Sequence, residues 1–383
     1  MNIPAEFDEI RPYAPEELPQ VYEELIADPA FQKVATGIMP VPFETIAQEM
    51  RSCTSNLEFQ KKFFYNMIKQ LLSKHSKGLT EDYSALDKSI CHTFISNHRD
   101  IVMDPGILCV SMIDAGFSNT TEIAIGDNLF AYPWIKKLVR IVKAFIVKRG
   151  LTGRTQLQAL NTMSRYIHFA ITQKHENVWI AQRQGRAKDS NDATQESILK
   201  MLSIGGEGSI VEKLSEINIV PLSLSYEYDP CDYLKARELQ LRRDNPDFHK
   251  TPGEDVLSMR TGIFGYKGHI HFQAAPCINK EIQELAIQYP KKTDFFPALA
   301  KLMDKHIYSC YHIFPSNYIA LDWIEGSQHF KDKYTANDKL EFEQYIYKQL
   351  TKIELPNKDE SFLLELLLKM YANPLINYLS VQE

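Results

Sequence analysis

Apolar positions in this chain change period twice. In PEELPQVYEELIADPAFQKVA and LEFQKKFFYNMIKQLLSKH they recur at three and four, the spacing of an amphipathic helix, broken by prolines and the cluster SCTSN. Residues 1–85 therefore predict a helical region. From about residue 86 short apolar runs take over: CHTFISN, TEIAIG, KAFIVKR, NVWIAQ, INIVPLSLSY and HIHFQA. Helical stretches such as RTQLQALNTMSRYIHFAITQK separate them. This alternation predicts an α/β domain over 86–292, with a central, largely parallel sheet flanked by helices and its sites at strand ends. Helical periodicity returns in FFPALAKLMDKHIYSCYHIF, ANDKLEFEQYIYKQLTKI and ESFLLELLLKMYANPL, predicting a C-terminal helical subdomain over 293–383 that covers part of the sheet. There is no internal repeat and no low-complexity linker.

Composition narrows the class. At 383 residues, 44% hydrophobic and 24% charged, the chain can bury one large core with helical additions. The start, MNIPAEFDEIRPY, has neither a basic nor an apolar leader segment, and no run of apolar residues reaches membrane-spanning length. Six cysteines without any C-x-x-C spacing fit reduced thiols in the cytoplasm better than a disulfide framework or a zinc site. A formal charge of −6 argues against nucleic-acid binding.

Four segments carry candidate chemistry. In SNHRDIVMDPG, at 96–106, His98 precedes Asp104 where an apolar strand gives way to a turn. A histidine with an orienting carboxylate is the arrangement that activates a hydroxyl nucleophile. GDNLFAYPWIKKLVRIVKAFIVKR, at 126–149, runs from a glycine turn into an aromatic-basic helix and a strand. It holds six Lys or Arg between Leu129 and Arg149 and no acid there, which suits a surface facing a membrane or an acyl-carrier protein. NVWIAQRQGRAKDSND, at 177–192, places Arg183, Arg186 and Lys188 around Gly185, a loop suited to phosphate. INIVPLSLSYEYDP, at 217–230, sets Pro221 inside a β-rich run, so that strand should be at an edge, a start or a bulge there. Other candidates are weaker. His269 and His271 alternate onto one strand face without an identifiable acidic or cysteine partner, and Arg165 with His168 suits a solvated helix face. No G-x-S-x-G elbow occurs.

Taken in order, a His–Asp turn, G-x-N-L, a Gly-Arg loop and V-P after a strand, the chain resembles the glycerolipid acyltransferases over roughly 90–275. These are the glycerol-3-phosphate and 1-acylglycerol-3-phosphate acyltransferases. The resemblance implies His98 as general base and Asp104 as its partner, with Arg99, Gly126, Asn128, Gly185, Arg186 and Lys188 in substrate binding. Ser96–His98 with Asp104-Pro105, and VWIAQRQGRAK, look like the plant-type glycerol-3-phosphate enzymes. There, the arginine after glycine and a basic residue two positions on hold the acceptor phosphate. His98-Arg99 and GDNL are more similar to the membrane-associated bacterial and mitochondrial enzymes. The resemblance further implies acyl-CoA or acyl-carrier protein as co-substrate, a glycerol-phosphate-type acceptor, no metal or other cofactor, and peripheral contact with the inner face of the membrane. Two departures stand. Five residues separate His98 from Asp104, one more than the family's usual spacing, so the turn bulges or Asp100 is the partner. Gln184 stands where most lysophosphatidate acyltransferases have glutamate. Another acceptor, such as dihydroxyacetone phosphate or an amino-acid lipid, or a non-catalytic lipid-binding protein of the same fold, remains open.

Overall fold

The computed structural model describes residues 3–39, 41–130 and 132–382. Seven strands form one sheet: β1 (Gly78–Asp82), β2 (Thr93–Ser96), β3 (Thr121–Gly126), β4 (Ala144–Val147), β5 (Asn177–Ala181), β6 (Ile219–Tyr226) and β7 (His269–Ala274). Their order is β1-β7-β6-β2-β5-β3-β4, with every pair parallel except β6 with β7. The fold is α/β, a largely parallel sheet between helical layers. The helices that bear on the site are α1 (Pro29–Ile38), α2 (Met103–Asp114), α3 (Pro133–Ile141), α4 (Gly153–Thr172), α5 (Asp232–Asp244), α6 (Pro252–Phe264) and α7 (Lys292–Ser309).

Strand side chains alternate between the two faces, and each face has its own core. Ile95, Val178, Ile180 and Ile219 pack with α4 and α7 on one side. Phe94, Trp179, Val220 and Leu222 pack with α2 on the other. Apolar burial on both faces is why the central strands read as nearly continuous hydrophobic runs. Because β2, β3, β4, β5 and β6 run the same way, the segments after them emerge along one edge of the sheet.

The structure corrects the sequence reading in three places. Residues 78–82, within the stretch read as helical, form the edge strand β1, paired with β7. GLTED has a single large apolar residue, so only its tertiary pairing reveals it as a strand. Helix α7, expected in the C-terminal subdomain, places Phe295, Phe296, Leu299, Met303 and Ile307 in the sheet's own core. A separate cluster joins Tyr228 and Ala236 to the helix Pro315–Glu325 and the helices after it, and includes Ile319, Phe342, Leu367 and Tyr371. Periodicity identifies a helix but not the core it joins. Pro221, expected at an edge, a start or a bulge, lies third in the interior strand β6. Its carbonyl accepts the Ala275 N–H at 2.9 Å, and the β7 ladder begins only at Leu222, so the missing N–H falls where that ladder starts rather than interrupting it.

Candidate active site

The turn after β2 is fixed from below before it presents a histidine. Buried Asn97 donates to the Leu224 carbonyl at 2.8 Å and accepts the Leu224 N–H at 2.8 Å, tying the turn to β6. Ser96 Oγ accepts the Trp179 indole N–H at 2.9 Å. The Trp179 ring meets His98 edge to face, with centroids 5.5 Å apart.

His98 Nδ1 lies 2.7 Å from Asp104 Oδ2. The same oxygen accepts the Arg99 N–H at 2.6 Å and the Asp100 N–H at 3.0 Å, and Oδ1 accepts the Tyr226 hydroxyl at 2.8 Å. An ionised carboxylate only accepts, so Nδ1 carries the proton and Nε2 keeps a free lone pair. The His98 side chain is 15% exposed and Asp104 is completely buried, which leaves the imidazole open on one side only. Asp100 has a different task. Its Oδ1 accepts the Val102 and Met103 N–H groups at 2.9 and 2.7 Å, capping the start of α2. The longer turn therefore bulges and still pairs His98 with Asp104. Burial, and then the nearby Asp104 charge, push the Asp100 carboxyl up.

His98 opens on a cavity of about 910 Å³. Gly126, Asn128, Gly185, Arg186 and Lys188 line it as well. Gly185 has φ +69°, a left-handed conformation that glycine adopts without strain. Arg186 is 8% exposed; Nη2 meets Ser258 Oγ on α6 at 3.2 Å, while Nη1 is buried with no hydrogen-bond partner. A guanidinium held in this way is prepared for an anion. Lys188 pairs with Glu238 at 2.9 Å; burial and then the Arg186 charge push its ammonium down to about 8. Ile146, Leu160, Met163, Ile180, Ile198 and Met201 give the lining an apolar part, beside polar side chains that include Gln156, Gln158, Thr162 and Gln195.

Not every candidate converges there. Arg99 points elsewhere: Nη1 lies 2.7 Å from buried Asp192, beside a separate small pocket. The basic run between Leu129 and Arg149 does not form one open face. Arg140 and Lys143 are buried, the first donating to the Arg11 and Asp8 carbonyls and the second pairing with Glu176. Lys137 and Lys148 pair with Glu24 and Glu9 of the N-terminal region. Charge composition is visible in a sequence; the acids that neutralise it from distant segments are not.

Arg149 itself lines the cavity beyond β4, close to Gly126, where a Cβ would meet its Nε at 3.2 Å. Burial pushes its guanidinium down, opposed by Asp127. The sequence reading counted this arginine only as part of the basic run. Its position just after a strand, like that of His98, was the available signal. Trp179, Tyr226 and Ser258 were also missed as site residues; Trp179 and Tyr226 read simply as strand apolars.

Among the described residues, no group of three or more His, Cys, Asp or Glu side chains is placed to hold a metal, and no helix is long and apolar enough to cross a membrane. His271 bonds Thr80 at 2.8 Å and its ring lies tilted against His312, with centroids 5.0 Å apart. Arg165 pairs with Glu6, and buried His168 bonds Glu216 and the Leu202 carbonyl, so both are engaged away from His98.

No protein-family model matches the sequence, and no curated protein matches it. Among solved structures, the 1-acyl-sn-glycerophosphate (LPA) acyltransferase PlsC from Thermotoga maritima is similar at 9% sequence identity and a TM-score of 0.37. The match covers 77% of this chain and 97% of that one. Overlap at that level assigns neither family nor activity.

Proposed function

We propose that this chain is an O-acyltransferase. It moves a fatty acyl group from a thioester donor, acyl-CoA or acyl-carrier protein, to the hydroxyl of glycerol 3-phosphate or 1-acylglycerol 3-phosphate. The observation that carries this reading is one shared cavity. Into it open a carboxylate-oriented imidazole, His98, and a buried guanidinium with an unpartnered nitrogen, Arg186. The ordered motifs of the sequence support the same reaction.

His98 Nε2 takes the proton from the acceptor hydroxyl as its oxygen attacks the thioester carbonyl. The tetrahedral intermediate collapses, the thiolate leaves, and the imidazolium returns the proton to sulfur. Asp104 fixes the tautomer and stabilises the imidazolium, as in a serine-hydrolase triad with a substrate hydroxyl in place of serine. Arg186, Arg149 and Lys188 hold the acceptor phosphate, and Gly126 and Asn128 shape the wall beside it. The apolar lining from Ile146 to Met201 receives the acyl chain. The chemistry calls for no metal or redox cofactor. Peripheral contact with the cytoplasmic face of a membrane is part of the proposal, through exposed apolar side chains on α1 and beside Trp134.

The test is thiol release from palmitoyl-CoA in parallel reactions with glycerol 3-phosphate, a 1-acylglycerol 3-phosphate, or no acceptor. Release is expected with one acceptor and to be lost in His98→Ala, whose circular dichroism and melting should match the wild type. Undiminished turnover by His98→Ala would remove the base. No release with either acceptor, repeated with palmitoyl-acyl-carrier protein, would remove the reaction.

A further inference from the structure

The carboxylate behind His98 has a second side-chain partner on another strand. Tyr226, the last residue of β6, donates its hydroxyl to Asp104 Oδ1 at 2.8 Å. The other three donors, His98 Nδ1 and the two backbone N–H groups, all meet Oδ2. Among the described residues, Tyr226 is thus the one side chain that grips the far oxygen of a carboxyl group with no exposure to solvent. Burial, and then the Asp104 and Asp100 charges, hold its phenol well above the ordinary range, so it stays a donor. It does not line the cavity around His98, and its ring packs on Phe272 at 6.2 Å.

Resting on the acyltransferase reading, we infer that Tyr226 is a positioning residue: it fixes the rotation of the Asp104 carboxylate and draws charge from it, thereby setting how strongly Asp104 polarises His98. A carboxylate with four donors presents less charge to the imidazole than one with three. Removing the phenol hydroxyl strengthens the His98–Asp104 hydrogen bond and favours the imidazolium; a more acidic phenol does the reverse. The charged groups around the pair are Arg99 and Asp100 in the turn, Asp229 beyond β6, Arg186 across from Asp100, buried Lys235, which donates to the Arg99 carbonyl and pairs with Asp229, and buried Lys267 near Asp100. All are retained in both variants below.

Two variants at 226 separate this role from packing: Tyr226→Phe, and 3-fluorotyrosine placed at 226 by codon suppression. The first readout needs no substrate. The downfield Nδ1 proton resonance of His98, assigned by its loss in His98→Asn, should move further downfield in Tyr226→Phe and upfield with fluorotyrosine. The second is the pH profile of thiol release. The acidic limb of kcat/KM should move up by about half a pH unit in Tyr226→Phe and down with fluorotyrosine, with acceptor KM unchanged. A resonance that stays in place, or moves the same way in both variants, overturns the inference. Because the resonance is read in the free protein, it stands apart from the reaction: wild-type protein without turnover refutes the acyltransferase reading and leaves the Tyr226 coupling testable. Should Tyr226→Phe fail to fold, the fluorotyrosine variant alone decides by the presence or absence of its upfield shift.

Discussion

At the scale of single residues, the site is a set of charges held by burial and directed by hydrogen bonds. Asp100 and Asp104 lie four residues apart and differ in role because one oxygen of Asp100 meets the N–H groups that open α2, while Asp104 meets the imidazole. Arg186 and Lys188 differ as well. Burial, and then the Arg186 charge, bring the Lys188 ammonium down to about 8. Its folded value is depressed, so it is charged below that pH and loses its proton above it. Acceptor KM in the thiol-release assay should therefore be flat up to about pH 8 and rise beyond it. Lys188→Arg should remove the rise, and Arg186→Ala should raise KM about ten- to a hundredfold at every pH. A KM independent of pH in the wild type would take Lys188 out of the phosphate site. Both residues stand out in the sequence beside Gly185. That Arg186 would be sunk to 8% exposure with one nitrogen unpartnered depends on Ser258, 72 residues away.

At the scale of elements, parallel strand ends gather His98, Gly126, Arg149 and Arg186 along one edge, and α6 closes over them from outside. Two of the contacts that dock α6 touch the site: Ser258 on Arg186, and Gly262 against Asp100. A Cβ at Gly262 would stand 1.7 Å from Asp100 Oδ2 and 2.7 Å from its Cγ, so the helix and the turn approach as closely as they do because that position has no side chain. Within an exposed helix, exchanging glycine for alanine gains up to about 1 kcal/mol. Here Gly262→Ala should destabilise by roughly 1–3 kcal/mol, the scale of overpacking, and should lower thiol release by disturbing the turn that carries His98. Thermal melting with the activity assay checks both; an increase in Tm would mean that α6 is not packed on Asp100. The six apolar runs read as strands are all strands, because burial on both faces in the central strands, and alternating burial in β7, leave a legible hydrophobic signature. β1 was not legible, since an edge strand with polar residues owes its pairing to β7 rather than to its own composition.

At the scale of the whole molecule, the N-terminal helices pack as a cluster with α3 at the β4 side of the sheet, and Ile146 of β4 donates its N–H to the Ile10 carbonyl at 2.9 Å. One face of α1 remains open: Val34 and Ile38 are 39% and 53% exposed, next to Val41, and Tyr132 is 56% exposed. Phe31 and Trp134, 5.8 Å apart, join α1 to α3, and Tyr132 stacks on Trp134. If this face meets a membrane, the wild type should sediment with phosphatidylcholine vesicles and the Val34→Glu, Ile38→Glu double variant should not. The double variant should keep its activity on soluble substrates. Equal sedimentation of the two proteins would place the contact elsewhere. Of the basic residues between Leu129 and Arg149, Arg140 and Lys143 are buried and Lys137 and Lys148 are neutralised in surface ion pairs, so the expected attachment is apolar rather than ionic. By itself the sequence determined the α/β class, six of the seven strands and the positions of the His–Asp turn and the Gly-Arg loop. Periodicity, turn chemistry and short motifs are local properties, written in neighbouring residues. Only the tertiary structure decided that Asp104 rather than Asp100 orients His98, that Arg99 turns to Asp192 while Arg149 turns to the cavity, and that Tyr226 reaches the same carboxylate. Each of those choices is made by burial and by hydrogen bonds from segments distant in the chain, and a linear pattern carries no record of which distant groups will meet.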